Sequence, residues 1–150
     1  QRATLFFLDT SCMIACVCTW HTQHDAAHAE VEHRLSGGET MATAVHAITE
    51  AYAVLTRLPP PHRMAPVDAL ALMEGNFLDG AVSLDMRSYR ALLRQAAAQG
   101  VAGGHFYDAL IAACVVKAKA SVLLTFNARH FGSFGFLEAA GVRVVVPGMQ

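Results

Sequence analysis

A short apolar run near the N-terminus, residues 4–8, most constrains the fold of this chain. From position 5 onward it reads Leu-Phe-Phe-Leu, and Asp9 ends it. A strand that faces water on one side alternates apolar and polar residues, whereas a strand covered on both faces is apolar throughout. We therefore expect a central strand of a parallel sheet, with helices packed on both of its faces.

The rest of the chain alternates helix and strand signals. Further strands are expected at 41–42, 81–84, 121–125 and 142–146. Helices are expected over 10–17, 24–35, from Thr43 to the prolines at 59–61, from Pro66 to Met73, and over 85–99 and 106–119. Thr10 or Ser11 is expected to cap the first helix, Gly37 and Gly38 to end the second, and Thr43 to cap the third. The apolar face of the third helix is expected to carry Val45, Ile48, Tyr52 and Leu55. Strands separated by helices predict a three-layer α/β/α sandwich around a short parallel sheet. No repeat or linker divides the chain, so we expect one domain over residues 1–150.

Composition excludes several classes of protein. Hydrophobic residues make up 54% of the chain and charged residues 15%, against roughly 25% charged in an average soluble domain, which excludes a disordered chain. The longest stretch without Asp, Glu, Lys or Arg, residues 10–24, is too short and too polar for a membrane span. A net charge of −1 gives no general attraction for phosphates, so any nucleic-acid role requires a local site.

The N-terminal segment and the cysteines indicate a cytoplasmic protein. Asp9 interrupts the first apolar run too early for a secretory signal peptide. None of the four cysteines has the paired Cys-x-x-Cys spacing of a metal or redox motif. Cys12, Cys16 and Cys18 fall in one short segment, and Cys114 lies far from them in the sequence. We interpret them as buried reduced thiols rather than as disulfides or a zinc site, and expect a cytoplasmic location.

Four oxygen-bearing side chains are placed where a ligand would bind. Ligands of parallel α/β sheets bind at the carboxyl ends of the strands; Asp9 directly follows the first strand, and Asn127 lies two residues past the fourth. Glu50 and Asp108 lie within or beside very apolar helical segments, where an acid is costly unless it is paired, hydrogen-bonded or metal-bound. Three carboxylates and an amide make a hard site suited to Mg²⁺ or Mn²⁺.

Each acid also has a purely structural interpretation. Asp9 and Asp108 are possible helix N-caps, and Glu50 is able to pair with Arg57 at a helix edge. Three acids with independent structural roles would not be expected to share one end of one sheet. Their joint placement therefore favours a shared site.

Longer motifs around these residues resemble a known family. The segments are Phe-Leu-Asp-Thr-Ser at 7–11, Tyr-Asp-Ala-Leu-Ile-Ala-Ala at 107–113, Leu-Thr-Phe-Asn-Ala-Arg-His-Phe at 124–131 and Val-Val-Val-Pro at 144–147, with Glu50 on the third helix. Together they resemble a PIN domain, and their order and the chain length resemble the VapC toxins of bacterial type II toxin/antitoxin pairs. The resemblance extends from Leu5 to Pro147 and implies a parallel sheet sandwiched by helices.

This resemblance implies an RNA endonuclease that depends on Mg²⁺ or Mn²⁺. By it, Asp9, Glu50 and Asp108 map onto the three central acids, which hold the metal and carry the catalysis. Many members have a fourth acid, an aspartate either at the position of Asn127 or three residues later, where this chain has His130. Asparagine keeps a carbonyl oxygen but no charge, so Asn127 is expected to bind metal more weakly while preserving the geometry.

Residues around the acids have supporting roles under the same resemblance. Ser11 matches a hydroxyl that often supports the acidic cluster, and Thr125 is expected to support it from the end of the fourth strand. Arg129, Arg87 and Arg90 are candidates for contacts with RNA phosphates, although a solvated helix face also explains the latter two.

The expected partners are RNA and a cognate antitoxin. Toxins of this kind are normally held by an antitoxin peptide whose helix covers an apolar groove. The early helix offers apolar residues that suit such a groove or a homodimer interface: Met13, Ile14, Val17 and Trp20.

Two other functions remain open at the level of sequence. One is a PIN-like binding module that has lost activity through Asn127 and His130. The other is an aspartyl phosphatase or phosphotransferase of the haloacid dehalogenase type, which also has Asp after the first strand. Those enzymes need a second Asp two residues later, where this chain has Ser11.

Overall fold

The central sheet has the predicted parallel architecture. The computed structural model describes residues 4–149, in which the strands are β1 (Leu5–Leu8), β2 (Thr40–Ala44), β3 (Ala81–Val82), β4 (Val122–Leu124) and β5 (Arg143–Val145). All four pairings are parallel, and the strands lie in the order β3-β2-β1-β4-β5. Phe6, Phe7 and Leu8 of the central strand are completely buried, as the uninterrupted apolar run predicts. The single-domain prediction includes residues 1–3 and 150, which lie outside the described residues.

Helices occupy every connection between strands. Within residues 4–149 they are α1 (Thr10–Val17), α2 (His24–Ser36), α3 (Val45–Arg57), α4 (Pro66–Asn76), α5 (Met86–Gln99), α6 (His105–Lys117), α7 (Ala128–Phe131) and α8 (Gly135–Ala139), with a 3₁₀ turn at Leu78–Gly80. Two of them, α7 and α8, were not predicted. They span 4 and 5 residues, too few to show a helical period in the sequence.

The order in which the chain adds strands to the sheet reverses between β1 and β4. The chain moves outward from β1 to β2 and β3, then returns to the opposite side of β1 for β4 and β5. Because crossovers between parallel strands are right-handed, such a reversal puts the helices of the two halves on opposite faces. A cleft opens at the carboxyl end of the sheet where this reversal occurs, so the residues that follow β1 and β4 face one another there.

The start of α1 confirms one of the alternatives that the sequence left open. Asp9 is the N-cap, with its Oδ1 accepting a hydrogen bond of 3.0 Å from the Cys12 amide, whereas Thr10 and Ser11 are the first two residues of the helix. The carboxylate therefore satisfies a helix end in addition to any chemistry it performs.

The start of α3 was predicted wrongly. Thr43 is a residue of β2 rather than a helix cap, and its hydroxyl donates to the Leu8 carbonyl at 3.1 Å. Val45 and Tyr52, expected on the buried face of α3, are exposed. The buried face consists of Ala47, Ile48, Ala51 and Leu55. Alanine is small enough to let the helix backbone lie close to the sheet, which a hydropathy pattern dominated by large residues does not reveal.

The end of α2 agrees with the sequence, whereas the apolar stripe of α1 does not. The helix ends at Ser36, and of the two glycines that follow, Gly38 has the left-handed φ of 86°. Met13, expected on an open groove, is completely buried in the core, whereas Trp20 is exposed.

Within residues 4–149, no helix combines the length and the apolarity that crossing a membrane would require.

Candidate active site

A pocket of about 250 Å³ lies at the carboxyl end of β1 and β4. Its lining includes all four oxygen-bearing side chains singled out in the sequence, together with two hydroxyl residues of α1: Asp9, Glu50, Asp108, Asn127, Thr10 and Ser11. They come from the β1–α1 junction, α3, α6 and the loop after β4. The fold therefore brings residues that are up to 118 positions apart, Asp9 and Asn127, into one pocket.

Asp9 is the most tightly held of these groups. Its side chain is only 3% exposed. Oδ1 accepts hydrogen bonds from the Ser11 hydroxyl at 2.7 Å and the Cys12 amide at 3.0 Å, and Oδ2 accepts one from the Thr125 hydroxyl. Because a carboxylate oxygen has two lone pairs, Oδ1 is saturated and Oδ2 retains one lone pair for a further partner.

Burial dominates the electrostatics of Asp9. Desolvation raises its pKa to about 6, and the neighbouring Asp108 carboxylate contributes in the same direction. The hydrogen bonds from Thr125, Ser11 and Cys12 lower the pKa but do not offset burial. The site is thus built to accept positive charge beside Asp9, because a cation would relieve both the desolvation of the carboxylate and its repulsion by Asp108.

Asp108 stands between two histidines. It is the fourth residue of α6, so it is not the cap of that helix, and its Oδ2 lies 3.4 Å from His105 Nδ1 and 3.5 Å from His130 Nδ1. Burial raises the pKa of Asp108, although the two imidazoles lower it; the charge of Glu50 raises it further. The ring of His105 is fixed from its other side, where Nε2 lies 3.1 Å from the Ser133 hydroxyl and Phe134 stacks on the ring at 4.7 Å.

Glu50 has its own histidine neighbour. Its Oε1 accepts a hydrogen bond of 3.3 Å from the Thr10 hydroxyl. His46, one turn earlier on α3, places Nε2 3.1 Å from the same oxygen, and this buried nitrogen makes no hydrogen bond within residues 4–149. The His46 ring packs against Tyr107 of α6 at 4.8 Å.

The β4 end of the site is joined to α1 by two hydroxyls. Ser11 Oγ accepts from the Phe126 amide at 3.0 Å while donating to Asp9. Thr125, completely buried, accepts from the Asn127 amide at 2.8 Å while donating to Asp9. Both supporting residues singled out in the sequence therefore contact Asp9 directly. Each also aligns the loop that carries Asn127.

The two candidates for the fourth position both reach the site, in different ways. Asn127 lines the pocket itself, whereas His130 reaches it only through Asp108. Arg129, Arg87 and Arg90 are exposed and do not line the pocket. Arg129 lies at the start of α7, two residues after Asn127 of the pocket, while Arg87 and Arg90 lie on α5.

His46 and His105 were not recognised in the sequence as neighbours of the acids, although the spacing of each histidine from its acid indicated it. His46 precedes Glu50 by four residues and His105 precedes Asp108 by three, the two spacings that place side chains on one face of a helix. With eight histidines in the chain, this spacing alone does not separate them from the i,i+4 pair His24 and His28 on α2.

The donor atoms of the pocket fit a hard divalent cation better than a softer metal. They are carboxylate and amide oxygens, the ligands that Mg²⁺ and Mn²⁺ prefer. Within residues 4–149, no three His, Cys, Asp or Glu side chains stand together at the spacing of a ready-made metal centre. A cation bound in this pocket would therefore have to draw the acids closer together.

Comparison with known proteins agrees with this geometry. The sequence model of the PIN domain matches residues 6–137, a span that includes every residue of the acidic pocket. The chain belongs to the PIN domain family. Ribonuclease VapC40 of Mycobacterium tuberculosis is 41% identical over 121 residues, covering 81% of this chain and 85% of that protein. Ribonuclease VapC27 of the same organism is 37% identical over 139 residues, covering 93% and 94%.

Solved structures show the same PIN fold at much lower identity. VapBC2 from Rickettsia felis, bound to a DNA fragment from its promoter, superimposes with a TM-score of 0.63 at 16% identity and covers 96% of this chain and 99% of that one. This PIN domain is therefore VapC-like in sequence and in fold, as its motifs suggested.

Proposed function

We propose that this PIN domain is a Mg²⁺- or Mn²⁺-dependent RNA endonuclease, the toxin of a toxin/antitoxin pair. The observation that carries the proposal is the convergence of Asp9, Glu50 and Asp108 in one pocket, with Asp9 buried and its pKa raised to about 6. Clustered acids whose repulsion is left uncompensated favour binding of a cation. The ribonuclease names of the relatives at 41% and 37% identity support RNA as the substrate.

Some residues of the pocket would bind the metal ion, and others orient the carboxylates that bind it. Asp108 and the free lone pair of Asp9 would hold a divalent ion, with Glu50 and the amide oxygen of Asn127 completing or orienting its shell. When bound, the ion supplies charge neutralisation of the scissile phosphate and a bound water of lowered pKa. Ser11 and Thr125 keep the Asp9 carboxylate in one orientation, and Thr10 restrains Glu50.

The exposed arginines complete the proposed substrate path. Arg129 follows the pocket directly and is placed to contact an RNA phosphate, while Arg87 and Arg90 would contact the strand farther along α5. These contacts provide local positive charge on a chain whose net charge is −1.

We also propose that the protein binds a cognate antitoxin, forms a homodimer and is located in the cytoplasm. The VapBC2 structure supports a protein partner for a fold of this kind. Exposed apolar side chains on α4, Val67 and Leu70, provide surface for a homodimer or for the antitoxin.

A cleavage assay with a matched control tests the enzymatic proposal. RNA transcribed in vitro is incubated with the protein in Mn²⁺, Mg²⁺ or EDTA, and with the variants Asp9→Asn and Asp108→Asn. Cleavage is expected only with a divalent ion, and each variant should lose at least about 100-fold in rate, as expected for loss of a metal ligand. Asp68→Asn is the control, because Asp68 also lies in the first turn of a helix but is exposed and outside the pocket. Full activity of either pocket variant would contradict the site.

A non-catalytic binding module is the second candidate. It is favoured by Asn127 in place of an acid and by the absence of a ready-made three-ligand centre within residues 4–149. Little stabilisation by Mn²⁺ in a melting-curve titration, together with no RNA cleavage, would select it.

The aspartyl phosphatase alternative has no support from the geometry. The second aspartate that those enzymes need is replaced by Ser11, whose hydroxyl donates a hydrogen bond to Asp9 instead of serving as an acid.

A further inference from the structure

Beside the acidic pocket lies a second cavity of about 250 Å³. Its floor is formed by Leu110 and Cys114, both buried, and its walls include His46 and Thr49 of α3 and Tyr89 of α5. No acidic residue lines it. His46 separates the two pockets, since it lines the second cavity and lies 3.1 Å from Glu50 of the first.

An exposed aromatic side chain stands at this boundary. Tyr107 directly precedes Asp108 on α6, yet it is 48% exposed. Its one aromatic neighbour among residues 4–149 is His46, whose ring centroid lies 4.8 Å away. The two rings together, Tyr107 and His46, form what we call the aromatic ledge. His46 packs against one side of the Tyr107 ring, and the exposure of Tyr107 leaves the rest of the ring surface open to a ligand.

The ledge and the cavity match one part of a nucleotide. At about 30 Å³ for each water-sized group, 250 Å³ holds roughly eight such groups, which is the size of a single nucleobase. Bases of single-stranded nucleic acid stack on aromatic side chains, and their edges hydrogen-bond to nearby polar groups. Polar residues are present in the wall: Tyr89 and Ser83, and Thr49, whose hydroxyl already donates to the Val45 carbonyl and so can only accept from a base.

We infer that the aromatic ledge and the adjoining cavity bind one unstacked base of single-stranded RNA, next to the phosphate held at the acidic pocket. This inference rests on the proposed ribonuclease function for the position of that phosphate. It gives the site a preference for single-stranded RNA, because a base within a duplex is not free to leave its neighbours. The exposed arginines of α5 lie on the helix that also contributes Tyr89 to the cavity, so the strand continues over a positive surface.

The test measures binding separately from cleavage. Fluorescence anisotropy gives the Kd of an unstructured 10-nucleotide RNA for the wild type, Tyr107→Leu and Tyr107→Phe in Ca²⁺, a divalent ion that oxygen ligands also bind, with the integrity of the RNA checked on a gel. Loss of one stacked base weakens binding about 5- to 100-fold, so Tyr107→Leu should weaken it within this range and Tyr107→Phe should not. The matched control is Tyr52→Leu, because Tyr52 is also an exposed tyrosine, at 38%, but is not the aromatic neighbour of His46. Since both side chains are exposed, melting curves should be unchanged.

An abasic RNA identifies the ligand of the ledge. Removing the base that stacks should weaken binding to the wild type and leave binding to Tyr107→Leu unchanged, and the same RNA paired in a duplex should not distinguish the two proteins. Equal affinity of wild type and Tyr107→Leu for the single strand overturns the inference. So does a Tyr107→Leu effect on antitoxin binding alone, which would assign the ledge to a protein partner.

The outcome is independent of the cleavage assay. RNA binding that depends on Tyr107 without any metal-dependent cleavage supports the ledge and contradicts the ribonuclease. Cleavage that is normal in Tyr107→Leu, with unchanged affinity, contradicts the ledge and leaves the ribonuclease intact. Failure of the wild type to bind RNA at all contradicts the inference.

Discussion

Asp9 combines two roles that usually belong to different residues. As an N-cap it satisfies a helix end, and as a buried acid beside Asp108 it is destabilised in its charged form. The hydrogen bonds that fix its orientation are too few to restore an ordinary pKa. Its protonation is therefore linked to folding as well as to cation binding.

This linkage predicts a pH dependence of stability in the absence of divalent ions. The pKa of Asp9 is raised from 3.8 to about 6 in the folded protein, so the folded state holds the proton more tightly than the unfolded chain. The contribution is favourable below about pH 4 and is lost as the pH rises to about 6, by roughly 3 kcal/mol. Urea unfolding in EDTA at pH 4.5 and pH 7 should show Asp9→Asn gaining stability relative to wild type at the higher pH. The exposed Asp68→Asn is the control; a constant difference between wild type and Asp9→Asn would contradict the prediction.

Thr125 is expected to be a stabilising residue as well as an orienting one. Thr125→Val keeps the shape of the side chain but removes the donor to Asp9 and the acceptor of the Asn127 amide. A lost hydrogen bond to a buried charged group costs about 1–3 kcal/mol, which chemical denaturation at pH 7 would measure. Thr56→Val serves for comparison, since the Thr56 hydroxyl bonds only to carbonyls of its own helix; equal small losses in both would show that the buried hydroxyl contributes nothing special.

At the scale of elements, the edge of the sheet is held by a close approach of two backbones. Gly80, in the 3₁₀ turn before β3, passes so near β2 that a Cβ would stand 2.7 Å from the Met41 carbonyl oxygen. The short strand β3 is only 2 residues long. Its pairing with β2 therefore depends on how the preceding turn packs.

Two glycine substitutions test this dependence. Gly80→Ala should destabilise the protein by about 1–3 kcal/mol, because the Met41 carbonyl belongs to a strand and cannot move away freely. Gly75→Ala, within α4 and with open space around the new methyl group, should instead stabilise by up to about 1 kcal/mol through helix propensity. Melting temperatures that fall for both variants, or for neither, would contradict the assignment of the close approach.

At the scale of the whole molecule, the acidic pocket joins the two halves of the fold. Asp9 and Glu50 belong to the half that precedes β3, while Asp108 and Asn127 belong to the half that follows it. Charge in the pocket is therefore expected to oppose folding when no cation is bound and to favour folding when one is.

Asn127→Asp tests this coupling by adding a fourth carboxylate. We expect the variant to melt at a lower temperature than wild type in EDTA, because of repulsion with Asp9, Glu50 and Asp108. With Mn²⁺ we expect binding roughly five- to tenfold tighter, since one added charge at a partly solvated site contributes about 1 kcal/mol. Calorimetric titration and melting curves with and without Mn²⁺ read both effects. Equal metal affinity and equal stability in EDTA would mean that the Asn127 side chain does not face the cluster.

The sequence by itself determined the parallel α/β architecture and the three acids of the pocket. The apolar run at β1 has only one stable placement, because a strand without polar residues must be covered on both faces. Asp9, Glu50 and Asp108 could be recognised because acids within apolar segments are rare without a reason. Local patterns of this kind can be recognised in the amino-acid sequence alone.

Only the tertiary structure decided the partners of these acids and the surface around them. His46, His105 and Tyr107 contact the site through neighbours on other elements or through helix geometry that many other residues share. The exposure of Val45 and Tyr52 depends on the rotation of α3 against the sheet, which the small residues Ala47 and Ala51 permit. Contacts between distant segments, and the rotation of one element on another, are set by packing of the whole core, and no local pattern of hydropathy encodes them.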